Sequence, residues 1–174
     1  MRVVATWMIA GIVLLASASL ARAEVKLQLN DVHICCGACV RSIQAAVDGL
    51  DAKVEIDRDG GAVRISAKDE AAAQKVVDGL AAAGFHGESD HDKIKMKDDS
   101  GVTAGKVKRL KLAGVHNCCQ GCTNAIRDAF RGVEGVSTDT LTNKATEFVV
   151  EGDFDAAAVV MALYAAGFHV KAAK

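Results

Sequence analysis

Ala82-Ala83-Gly84-Phe85-His86 recurs without change as Ala165-Ala166-Gly167-Phe168-His169, 83 residues further along the chain. The same offset carries Val32-His33 onto Val115-His116. It also carries Ile34-Cys35-Cys36-Gly37-Ala38-Cys39 onto Asn117-Cys118-Cys119-Gln120-Gly121-Cys122. Between these anchors the two stretches have equal length, although their residues have diverged. A fixed offset of this size marks a duplicated structural unit. Each copy spans about 65 residues, enough to fold alone with modest stability.

Working outward from the anchors, Val25, Leu27 and Leu29 alternate as a half-buried strand would. Val40, Ile43, Val47 and Leu50 follow helical spacing. Val54 with Ile56, then Val63, Ile65 and Ala67, read as a hairpin around the turn residues Asp59-Gly60-Gly61. Asp69 caps a second helix bearing Ala73, Val76, Val77 and Leu80, Gly84 ends it, and Phe85 opens a short last strand. The second copy repeats the order, with Leu110 and Leu112, then Ile126, Phe130 and Val133, then Phe148 and Val150, then Val159, Val160 and Leu163. Strand, helix, strand, strand, helix, strand is the split-βαβ, ferredoxin-like order. The fold class is therefore α+β, two tandem βαββαβ domains.

The ends and the middle read differently. Arg2, the apolar run Val3 to Leu20 and the Ala21-Arg22-Ala23 site predict a cleaved signal peptide over 1–23. An uncleaved anchor is the alternative, because the run approaches spanning length. Cleavage leaves 151 residues of net charge −3, from 19 basic and 22 acidic side chains. The chain is then exported, periplasmic or secreted, with no stable membrane insertion. Its mild acidity speaks against nucleic acid as a partner. Domain one is expected over 24–88 and domain two over 107–174. Residues 89–106 form a solvated linker rich in Asp, Lys, Ser and Gly, in which Ile94 and Met96 alternate as a strand extension would.

All six cysteines fall in the two repeated clusters, at the strand-to-helix turn of each copy. Cys39 and Cys122 are placed near a helix N-terminus, where unpaired N–H groups favour a thiolate, and Arg41 and Arg127 add positive charge. Clustered thiolates suit a soft metal ion. A dithiol/disulfide redox protein is the enzymatic rival. Thioredoxin-like folds set a cis proline beside the dithiol, and this chain contains no proline. No hydrolytic triad, paired carboxylates or nucleotide loop is present, so the chain is not expected to be an enzyme. Asp90, His91, Asp92, Asp98 and Asp99 do not match a calcium loop and read as solvated charge.

The cysteine loop, the βαββαβ order and the Ala-Gly-Phe segment resemble the heavy-metal-associated (HMA) domain family over roughly 26–88 and 107–172. That family includes Atx1-type copper chaperones, modules of metal-transporting P-type ATPases and the periplasmic mercury-binding protein. The resemblance implies metal binding by Cys36 with Cys39 and by Cys119 with Cys122, with Cu(I) the leading ion. Zn(II), Cd(II) and Hg(II) are the alternatives. It implies transfer by ligand exchange to a P-type ATPase or another metallochaperone. An HMA-fold interaction module without metal transfer is a further alternative. The resemblance also sets Gly84-Phe85 and Gly167-Phe168 beside the metal loop.

Two features depart from the family pattern. Ile34 and Asn117 stand where the family usually has Met, and a buried Asn117 requires hydrogen-bond partners. Cys35 and Cys118 are additional thiols. Each either completes a three-thiolate site or, since vicinal side chains often diverge, faces another molecule. His33, His116, His86 and His169 are auxiliary ligand candidates.

Overall fold

The computed structural model describes residues 24–173; the expected signal segment lies outside the described residues. The first unit comprises β1 (Val25–Asn30), α1 (Gly37–Val47), β2 (Ala52–Asp57), β3 (Ala62–Ala67), α2 (Glu70–Ala82) and β4 (Glu88–Ser89). The second comprises β5 (Lys106–Ala113), α3 (Gln120–Arg131), β6 (Val136–Asp139), β7 (Glu147–Asp155), α4 (Ala156–Ala165) and β8 (Lys171–Ala172). Each forms a four-stranded antiparallel sheet, ordered β2-β3-β1-β4 and β6-β7-β5-β8. This is the ferredoxin-like strand order, present twice.

Alternation decides which faces are buried. Leu27 and Leu29 in β1 lie opposite Ile65 and Val63 in β3, and all four are buried. Ala73, Val76, Val77 and Leu80 form the buried stripe of α2; Val159, Val160 and Leu163 do the same in α4. Both second helices start on an aspartate that accepts a backbone N–H, Asp69 from Ala72 at 2.8 Å and Asp155 from Ala158 at 3.0 Å. Replacing Asp69 with Ala is expected to lower stability by about 1 kcal/mol. The urea midpoint should fall with the slope unchanged.

Three local expectations differ from the structure. Helix α1 ends at Val47, so Leu50 packs from the turn beyond it. The last strand of the first unit is Glu88–Ser89, while Phe85 makes an isolated antiparallel bridge to Phe168. Residues 90–105 contain no strand, yet Ile94 is buried at 2% exposure. Their acidic side chains are not simply solvated. Asp98 accepts the Tyr164 hydroxyl at 3.2 Å, and Asp99 meets His169 Nε2 at 2.7 Å and Lys171 Nζ at 2.6 Å. The connection is thus fastened to the second unit.

The units are docked mainly through connecting segments; α1 and α3 meet at their first turns, where Cys39 Sγ lies 4.0 Å from Cys122 Sγ. The repeated segment makes the joint. His86 N donates to Gly167 O and His169 N to Gly84 O, both at 3.0 Å. Phe85 stacks on His116 with centroids 4.2 Å apart, and Phe168 lies against His33 at 4.5 Å. One buried apolar cluster runs through both units. The docking therefore has approximate two-fold symmetry within a single chain.

Candidate metal centre

Each cysteine loop is positioned by its own strand and helix. Cys36 and Cys119 occupy the N-cap positions of α1 and α3 in the same extended conformation (φ −153°, ψ 170° and φ −155°, ψ 173°). Neither side chain makes a cap hydrogen bond, in contrast to Asp69 and Asp155. One turn later Cys39 and Cys122 point into the core, fully buried. Asn117 does not distort the second loop. Its Nδ2 donates to Thr142 O at 3.0 Å and Ala145 O at 2.9 Å, and its Oδ1 accepts the Thr123 hydroxyl at 2.8 Å. A side-chain network thus takes the place of the apolar packing of Ile34, which is 6% exposed.

The docking brings the two loops together. All six cysteines are free thiols, and their sulfurs make nine contacts of 3.4–4.0 Å. Five of these cross between units: Cys35 to Cys119 (3.4 Å) and Cys122 (3.5 Å), Cys118 to Cys36 (3.7 Å) and Cys39 (3.6 Å), and Cys39 to Cys122 (4.0 Å). The sequence places three thiols in each of two loops; the structure brings all six into one cluster.

The histidines divide into two classes. His116 belongs to a group with Cys39, Cys118 and Cys122, and His33 to one with Cys35 and Cys122, the ligand atoms of each group lying within 4.8 Å of one another. The Nε2 atoms of both are buried without a hydrogen-bond partner. Burial holds the His33 pKa below its usual value, which favours the neutral, ligating form. His86 and His169 instead face each other, Nδ1 to Nδ1 at 3.2 Å, and join no donor group with the sulfurs. Gly84-Phe85 and Gly167-Phe168 do lie beside a cysteine loop, but it is the loop of the opposite unit.

Thiol acidity is uneven. The backbone N–H of Cys122 at the start of α3 is the main cause that brings Cys119 down to about 7. Partial loss of solvent around the sulfur, with the neighbouring thiols adding to it, raises Cys35 although the residue as a whole is exposed, and likewise raises Cys118 to about 12. The buried Cys39 and Cys122 act as one unit: a hydrogen bond between them pushes the first down and the second up, so they share one negative charge. Arg127 adds no free charge here, because it grips the Asp139 carboxylate through Nε (3.0 Å) and Nη2 (2.9 Å) and donates to Leu141 O. The arrangement offers soft donors, partly ionised, at the separation a metal requires. A tetrahedral ion bonded at about 2.3 Å sets its sulfurs about 3.8 Å apart.

No protein-family model and no curated protein matches the chain. Among solved structures, the N-terminal soluble domains of Bacillus subtilis CopA are similar at 14% identity and a TM-score of 0.32. The match covers 87% of this chain and 95% of that one.

Proposed function

We propose that this chain is an exported binder of a thiophilic metal ion, with Cu(I) foremost and Hg(II), Cd(II) and Zn(II) as the alternatives. It captures, buffers or delivers the ion by thiolate exchange. The observation that carries the reading is the convergence of all six cysteines, as free thiols, on one point at the joint between two units. Six closely spaced thiols tend to repel when ionised or to oxidise when exposed. A bound soft cation removes both tendencies. Exposed Cys35 and half-exposed Cys36, Cys118 and Cys119 form the accessible side of the cluster, while Cys39 and Cys122 form its floor. An incoming thiol attacks the ion from that side, the chain's outer thiolates leave first, and the floor thiolates release last. A P-type ATPase or a second metallochaperone is the receiving partner that this chemistry suits.

The test is metal stoichiometry of the reduced chain under competition by a soluble Cu(I) chelator. Retained Cu(I), lost when Cys36, Cys39, Cys119 and Cys122 are all replaced by Ser, supports the reading. Absence of retained metal, together with disulfide reductase activity, overturns it in favour of a redox protein.

A further inference from the structure

The nine sulfur contacts do not divide by loop. Cys36 and Cys39 are 3.8 Å apart, and the third sulfur touching both is Cys118 of the other unit, at 3.7 and 3.6 Å. Cys119 and Cys122 are likewise 3.8 Å apart, and the sulfur touching both is Cys35, at 3.4 and 3.5 Å. The neighbouring pairs Cys35–Cys36 and Cys118–Cys119 are not among the contacts. These two triangles share no atom and use each of the six sulfurs once. The other closed triangles, Cys35-Cys39-Cys122 and Cys39-Cys118-Cys122, share the central Cys39–Cys122 edge, so ions in both would compete for two sulfurs.

We infer that the chain holds two soft ions in two cross-ligated three-thiolate sites, each formed by the C-x-x-C pair of one unit and the additional cysteine of the other. The inference rests on the metal-binding reading above and specifies who ligates whom. The centre of each triangle lies about 2.1 Å from its sulfurs, a few tenths of an ångström short of an ordinary metal–thiolate bond. Small outward shifts of the exposed sulfurs close that difference. A second observation concerns the histidines. The unpartnered Nε2 atoms of His116 and His33 belong to rings grouped with Cys39, Cys118 and Cys122, and with Cys35 and Cys122, while a third group joins Cys35, Cys36 and Cys119. Each additional cysteine and the histidine two residues before it thus share a group with the buried cysteine of the other unit's C-x-x-C pair.

Cross-ligation gives Cys35 and Cys118 a purpose that two isolated domains lack. Binding in either site fastens the units together, because each ion bonds to both. Each ion also stabilises the docked state against the open one in proportion to its preference for three sulfurs over two.

The test uses the full chain, loaded anaerobically with Cu(I) and read by X-ray absorption for the number of sulfur ligands. With Cys36→Ser and Cys39→Ser together, only the site of Cys119 and Cys122 remains, and it should hold one Cu(I) with three sulfurs. Adding Cys35→Ser should reduce the number to two and weaken retention by more than about tenfold, since even changes behind a ligand cost that much. Adding Cys118→Ser instead should change neither. The mirror set, built on Cys119→Ser with Cys122→Ser, should reverse the two roles. It also keeps the test decisive if one background folds poorly. Bound Cu(I) with sensitivity to Cys118→Ser in the first background, or with two sulfurs throughout, overturns cross-ligation and leaves metal binding standing. No bound Cu(I) in the unsubstituted chain overturns both.

Discussion

Replacing Gly84 with Ala is expected to separate the two units while leaving each folded. Gly84 has φ +84°, and a Cβ there would lie 2.3 Å from both Gly114 O and His116 N across the joint. Both atoms are backbone, so no side-chain rotation relieves the contact. Gly167 is the symmetric case, with 2.3 Å to His33 N and 2.6 Å to Asp31 O. The left-handed backbone alone costs an alanine about 1 kcal/mol. The clash raises the total to about 3 kcal/mol or more, directed at the docked state. Gly49→Ala provides the control, since φ there is +71° but nothing lies within 4 Å of its Cβ. Small-angle scattering should show a larger radius of gyration for Gly84→Ala and not for Gly49→Ala, with helical circular dichroism retained in both. The Cu(I) of the Gly84 variant should fall from three sulfurs to two. An unchanged radius with three sulfurs would show that the joint tolerates the methyl group and that the packing argument is wrong.

That joint marks where sequence reasoning reached its limit. The elements within each unit were legible because their causes are local: alternation in β1 and β3, the stripe Ala73-Val76-Val77-Leu80 in α2, and the aspartate before it all follow from burial within a single unit. The relation between units leaves no such periodicity. Phe85 stacks on His116 and Phe168 lies on His33, yet each pair is joined only by the docking. The signal available was the uninterrupted identity of Ala82–His86 and Ala165–His169 amid diverged surroundings. A symmetric interface requires the same surface of both partners, so the segment that makes the joint is the one that stays equal. The role of Cys35 was hidden for the same reason. Its partners, Cys119 and Cys122, are 84 and 87 residues away, and no reading of one loop contains them.

Acidification from pH 7 to pH 4 should weaken the docked fold through His86, apart from any effect on the thiols. His86 is 8% exposed. Burial first, and electrostatic repulsion from the neighbouring His169 second, bring its pKa down to about 4, with Asp98 acting the other way. Its surroundings are polar: the Nδ1 atoms of His86 and His169 face each other at 3.2 Å, and His169 Nε2 lies 2.7 Å from the Asp99 carboxylate. Tyr164 lies flat on the His86 ring at 4.0 Å. A proton added to His86 places a charge on a buried ring at the joint, which burial penalises. An unfolded histidine titrates near 6.5, the folded one near 4. Between those values the unfolded chain binds a proton that the folded chain does not, so stability is complete above about pH 6.5 and declines as the pH falls toward 4. The shift amounts to about 3 kcal/mol across the window. His86→Asn keeps a polar group near the Nδ1 position and removes the titration. Urea midpoints at pH 7.5, 6, 5 and 4 should therefore decline less steeply for the variant than for the unsubstituted chain. Parallel declines would place the acid sensitivity elsewhere, in the carboxylates that fasten residues 90–105 to the second unit.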